Sequence, residues 1–87
     1  MKCEIQEFIE HLHNTRGTSK NTEISYQRDL QQLAAFLEGK GITDVEKVTR
    51  TSLNSYILYL EKEGKATTTI SRELASITSF FSYLFRE

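Results

Sequence analysis

The 87-residue chain has no proline, one cysteine and four glycines. Without proline, nothing removes a backbone N–H from the interior of an element. The single cysteine, Cys3, excludes an internal disulfide and any thiolate metal cluster. With only Lys2 beside it as a cation, Cys3 reads as a bystander thiol rather than a nucleophile. No apolar run approaches the ~20 residues that a membrane span needs. The start, "MKCEIQEFIEHL", interrupts its apolar pattern with acids, so it does not read as a signal peptide. The cytoplasm is therefore the expected location, with no membrane partner. An excess of charge is also lacking: 11 Lys and Arg against 12 Asp and Glu give a net charge of −1. That balance argues against a large sequence-independent nucleic-acid binder, which is normally basic.

What is present is a repeated three- and four-residue spacing of apolar side chains, the pattern of amphipathic helices. The length suits one domain, residues 1–87. Four helices are predicted. The first, about Cys3 to Asn14, turns Ile5, Phe8, Ile9 and Leu12 to one face. Gly17 suits its exit, and Thr18 or Ser19 the next N-cap. The second, about Asn21 to Glu38, carries Tyr26, Leu30, Leu33 and Leu37 as its buried stripe. Gly39 or Gly41 closes it in the left-handed conformation. "ITDVEKV" is a short connection, at most one helical turn, that tucks Ile42, Val45 and Val48 inward. Thr49 caps the third helix, about Arg50 to Glu63, with Leu53, Tyr56, Ile57 and Leu60 inward, and Gly64 stops it. The fourth runs from about Thr67 to Phe85 and is predicted to bury Ile70, Leu74, Ile77, Phe81 and Leu84. Short connections and one-sided helices imply an all-α, compact four-helix domain, orthogonal or bundle-like.

The polar faces are unequal. Glu4, Glu7 and Glu10 lie on the first helix, whereas Arg16, Lys20, Arg28, Lys65 and Arg72 gather near two later helix starts. With Leu74 at the centre of the fourth helix's buried face, steps of about 100° send Thr68, Arg72, Ser76 and Ser79 outward, flanked by Thr69. With Tyr26 inward, the second helix sends Lys20, Ile24, Gln27, Arg28 and Gln31 outward, with Asn21 at the edge. Arg and Lys neutralise phosphates, and hydroxyls, amides and helix-start N–H groups donate to phosphate oxygens. Gln and Arg also read base edges in the major groove. Ordinary solvated faces carry the same residue types, but the fourth helix holds only one acid, Glu73. Ile24 fits a partly buried flank better than a thymine-methyl contact.

Three stretches, in this order and spacing, resemble the N-terminal core-binding domain of tyrosine recombinases. "TSKNTEISYQRDLQQLAAFL" is similar to that family's Ser-x-x-Thr-x-x-x-Tyr-x-x-Asp-Leu helix. "GITDVEKVTRTSLNSYILYL" is similar to its Gly-Ile-x-Asp connection and third helix. "TISRELASITSFFSYL" is similar to its Thr-Ile-x-Arg-x-Leu closing helix, and "FIEHL" fits the first. The resemblance covers essentially the whole chain. It implies a SAM-like four-helix domain of a phage- or transposon-type integrase or Xer-like recombinase. Such a domain clamps one side of duplex DNA at the core recombination site while a C-terminal catalytic domain grips the other. By position, the implied DNA-facing set is Lys20, Asn21, Thr22, Arg28, Thr69 and Arg72, with Ser76 and Ser79 added. Tyr26, Leu30, Leu74, Phe80 and Phe81 are implied core positions. Other recombinase protomers in a synaptic complex are implied partners.

The chain departs from the pattern at Ile24, Glu73 and Thr78, where basic residues are common, and at Ala66, where a serine is common. Fewer cations imply weak binding by the isolated domain and a shallow salt dependence. No catalytic residue is expected: the family's nucleophilic tyrosine belongs to the catalytic domain, and Tyr26, Tyr56, Tyr59 and Tyr83 have no surrounding Arg/His cluster. The chain reads as an excised domain. No cofactor or metal is expected, since His11 and His13, two apart on a helix, point about 200° from each other. The alternative reading is a helical protein–protein interaction module, for which the acidic first helix is either a candidate contact face or simply a solvated one.

Overall fold

A computed structural model describes residues 1–85; positions 86 and 87 of the expected domain lie outside the described residues. Its elements are α1 (Lys2–Arg16), α2 (Lys20–Glu38), a single 3-10 turn (Val45–Lys47), α3 (Arg50–Lys62) and α4 (Thr67–Leu84), with no strand among the described residues. The all-α four-helix expectation holds, and the boundaries fall within two residues of those read from the sequence.

Local chemistry fixes these boundaries. The Ser19 hydroxyl accepts from the Thr22 N–H at 3.2 Å and caps α2, and the Thr49 hydroxyl accepts from the Ser52 N–H at 3.2 Å and caps α3. Of the two glycines offered for the end of α2, Gly41 takes the left-handed conformation (φ 79°), while Gly39 stays right-handed. That geometry lets the Ile42 N–H return to the Leu37 carbonyl at 2.9 Å and turns Ile42 back onto the core. α4 has Ala66 as its N-cap and so no side-chain cap.

Helices α2 and α4 pack against each other; α1 lies against both and α3 lies against both, whereas α1 and α3 do not pack together. Ile5, Phe8, Ile9 and Leu12 of α1 meet Leu30, Leu33, Ala34 and Leu37 of α2, Tyr56 and Leu60 of α3, and Ile77 and Phe80 of α4 in one core. Phe8 sits at the centre of an aromatic group, 5.5 Å from both Phe80 and Tyr83 and 5.8 Å from Tyr26.

The phase predicted for α4 is wrong by about 100°. Leu74, expected at the middle of the buried face, is 45% exposed, and the fully buried positions are Glu73, Ser76, Ile77 and Phe80. Ile70, Phe81 and Leu84 are only half-buried. Ile77 alone of the predicted stripe is fully inside. The rotation follows from two polar side chains that the core accepts because each finds a partner there.

Candidate nucleic-acid interface

Asp29 and Glu73 are carboxylates with 1% of their surface exposed. A buried charge of this kind is sustained only by close donors. Asp29 accepts from Arg72 Nη2 at 3.0 Å and Arg72 Nε at 3.3 Å, and from the Ser76 hydroxyl at 3.0 Å. The Ser76 oxygen also lies 3.2 Å from the Arg72 carbonyl, but the carboxylate is the stronger acceptor for its single proton. Glu73 accepts from the Tyr56 hydroxyl at 2.7 Å. Burial, the nearby Glu73 and the more distant Asp29 push the Tyr56 phenol well above its ordinary pKa, so Tyr56 is a neutral donor. Every buried side-chain polar atom among the described residues has a partner.

This network corrects the expectation for Ser76. It was predicted to face outward; it is 5% exposed and fastens α4 to Asp29 of α2. Arg72 remains at the surface, its side chain 56% exposed while that of Asp29 is 2% exposed. The guanidinium thus lies with its Nε–Nη2 edge on Asp29, and its third nitrogen is free of that carboxylate. The position of Glu73 has a further consequence: the one acid on α4 among the described residues is buried, so the helix presents no carboxylate to solvent.

Thr22, Ser25 and Tyr26 of α2 and Arg72, Ala75 and Ser76 of α4 line a groove of about 230 Å³ floored by Asp29. Thr22 and Arg72 are therefore brought together as expected. Asn21, Ser25, Arg28, Gln32, Ala35 and Gly39 recur at four- and three-residue steps, a single stripe along α2 beside this groove. Arg28 on that stripe is exposed and makes no ion pair among the described residues. Thr69, half-buried, shares with Arg72 and Ser76 the side of α4 turned to α2.

Two predicted residues fall elsewhere. Lys20 is in register with Gln27 and Gln31, which border α1 through Ile5 and Gln6, and stands about 80° around α2 from Arg28. Ser79 is half-buried in a second groove, between α4 and α1, with Phe8, His11 and Arg16. Lys20, Arg28 and Arg72 thus do not form one side-by-side row. Sequence reasoning gave Asp29 no role, although it lies in the quoted Tyr-x-x-Asp-Leu pattern, and passed over Ser25 and Gln32. The regular continuation of the Asn21–Arg28 spacing was the available signal for those two.

On the α1 side, Glu23 accepts from the Thr18 hydroxyl at 2.7 Å and pairs with His13 Nδ1 at 3.0 Å. These two bonds, Thr18 first, hold its carboxyl below the ordinary carboxylate pKa. The acids Glu7 and Glu10 are exposed on α1, away from the Asn21–Gly39 stripe. No helix among the described residues is long and apolar enough to cross a membrane.

Comparison with known proteins gives a family-model match over residues 5–87, to the phage integrase N-terminal SAM-like domain. The chain is 34% identical over 82 residues to the tyrosine recombinase XerC of Listeria monocytogenes serotype 4b, covering 94% of this chain and 27% of that protein. It is 40% identical over 81 residues to the putative tyrosine recombinase TTE1313 of Caldanaerobacter subterraneus subsp. tengcongensis, covering 93% and 28%. With the tyrosine recombinase XerD of Oceanobacillus iheyensis it shares 38% identity over 84 residues, covering 95% and 28%. The chain spans about a quarter of the length of these curated relatives. No solved structure gives a significant match.

Proposed function

The chain belongs to the phage integrase N-terminal SAM-like domain family, and from that membership we propose that it holds duplex DNA along the α2–α4 seam, as the core-binding domain of a tyrosine recombinase. Its place of action is the cytoplasm, and its role is to support integration or site-specific recombination performed by a separate catalytic domain. The observation that carries this reading is the pairing of the Asn21–Gly39 stripe with Arg72, in a region where Asp29 and Glu73 are both buried.

The chemistry suits a phosphate backbone. Arg28 and Arg72 supply charge, Asn21, Thr22 and Thr69 supply neutral donors, and the uncapped start of α4 leaves the N–H groups of Thr67 to Thr69 for an acceptor. The stripe is about 27 Å long, roughly four-fifths of one turn of B-form DNA. Ser76 drops out of the contact set because it is committed to Asp29. Lys20 and Ser79 become peripheral. Contacts with other protomers belong to surfaces off the seam, such as the half-exposed Leu74 and Phe85 flank of α4.

Two measurements test the reading. In an NMR titration with duplex DNA, shifts should concentrate at residues 21–32 and 67–72. Arg28→Glu should weaken binding at least about tenfold and Lys20→Glu much less. Equal losses for the two reversals, or shifts confined to α1, would refute the seam.

A further inference from the structure

A cleft of about 610 Å³ lies where the C-terminal ends of α2 and α3 meet the segment before α4. It lies outside the groove that holds Arg72. Its floor is aromatic: Phe36 lies 5.2 Å from Tyr56 and 5.0 Å from Tyr59. Lys40 enters from the turn after α2 and Lys65 from the segment before α4. The Lys40 ammonium stands 5.1 Å from the centre of the Phe36 ring, held over its negative face. Neither lysine makes an ion pair among the described residues. Gln32 and the 43%-exposed Tyr59 add neutral donors, and Glu63 lies at the rim as the one carboxylate.

Resting on the DNA reading above, we infer that this cleft is a second phosphate-binding station, taking the duplex backbone after it leaves the α2–α4 seam. Three of its lining residues, Gln32, Ala35 and Gly39, are the C-terminal half of the stripe that begins with Asn21 and Arg28, so one continuous strand of phosphates can follow both. An ammonium stationed over a ring loses less freedom on meeting a phosphate than a free lysine does. Glu63 opposes the anion and tempers the site.

The test uses the unsubstituted chain and a fluorescein-labelled duplex of mixed sequence, about 24 base pairs long, titrated by anisotropy across a salt series. Lys40→Ala, at an exposed position, should weaken binding about three- to tenfold and make the log–log salt slope shallower by about 0.9, the value of one phosphate contact. Glu63→Gln should tighten binding and leave the slope steeper or unchanged. Arg28→Ala serves as the seam control. A Lys40→Ala slope equal to that of the unsubstituted chain, with Arg28→Ala still shallower, overturns the station and leaves the seam standing. No binding by the unsubstituted chain overturns both.

Discussion

Removing either end of the Asp29–Arg72 pair breaks the same hydrogen bonds but leaves different remnants. Asp29 is at 2% side-chain exposure and Arg72 at 56%. In Arg72→Met the carboxylate stays buried with Ser76 as its remaining donor, and the uncompensated charge should cost about 3 kcal/mol. In Asp29→Asn the amide oxygen still accepts, and the guanidinium relaxes into water, so the loss should be nearer 1 kcal/mol. Urea denaturation of the two variants checks this order; the reverse order would mean that the arginine's packing, not the buried acid, carries the stability. DNA affinity of Asp29→Asn then reports on positioning, because Arg72 keeps its charge but loses the charged two-point acceptor that orients it.

At the scale of elements, the sequence was legible wherever a helix buries only hydrocarbon. α1 follows its apolar stripe without exception, and the caps at Ser19 and Thr49 are visible as hydroxyl residues ahead of apolar periodicity. α4 was misphased because its inner face includes Glu73 and Ser76, whose burial depends on Tyr56 and Asp29 from other helices. No periodicity within α4 encodes those partners, and Leu74 is the stronger apolar signal although it faces water. Of the α4 residues predicted to face outward, Arg72 stays exposed at the edge of the actual inner face, whereas Thr69 is half-buried and Ser76 lies inside. The α1–α2 corner offers an element-scale prediction. Glu23 has a lowered pKa, so its contribution is fully present above the ordinary carboxylate value of 4.5 and fades as pH falls through the lower folded value. Glu23→Gln should therefore destabilise the domain at neutral pH, and the gap between variant and parent should close in acid. A gap that is constant from neutral pH into strong acid would show that Thr18 and His13 do not act through the charge.

Considered as a whole molecule, the near-neutral total hides a separation of charge. Exposed acids lie on α1, at the end of α2 and on α3 (Glu7, Glu10, Glu38 and Glu61), while the seam side offers Arg28, Arg72, Lys40 and Lys65, with Asp29 and Glu73 buried and Glu63 exposed beside the two lysines. Such a molecule approaches a polyanion with one face and turns the other away, so orientation is favoured more than affinity. Four available cations set an upper bound on the phosphates neutralised. At about 0.9 per phosphate, the log–log salt slope for the isolated domain should be no steeper than about −4. Glu63 beside two of those cations pulls the expected value toward −3. Anisotropy titrations across a salt series measure this directly. A slope near −8 would require about twice as many cations as the seam and cleft present, and would point to an interface that also recruits Lys20, Arg16 or a second copy of the chain. A slope near zero would mean that contacts to DNA, if they form, are made by neutral donors alone, and Arg28→Glu would then have little left to reverse.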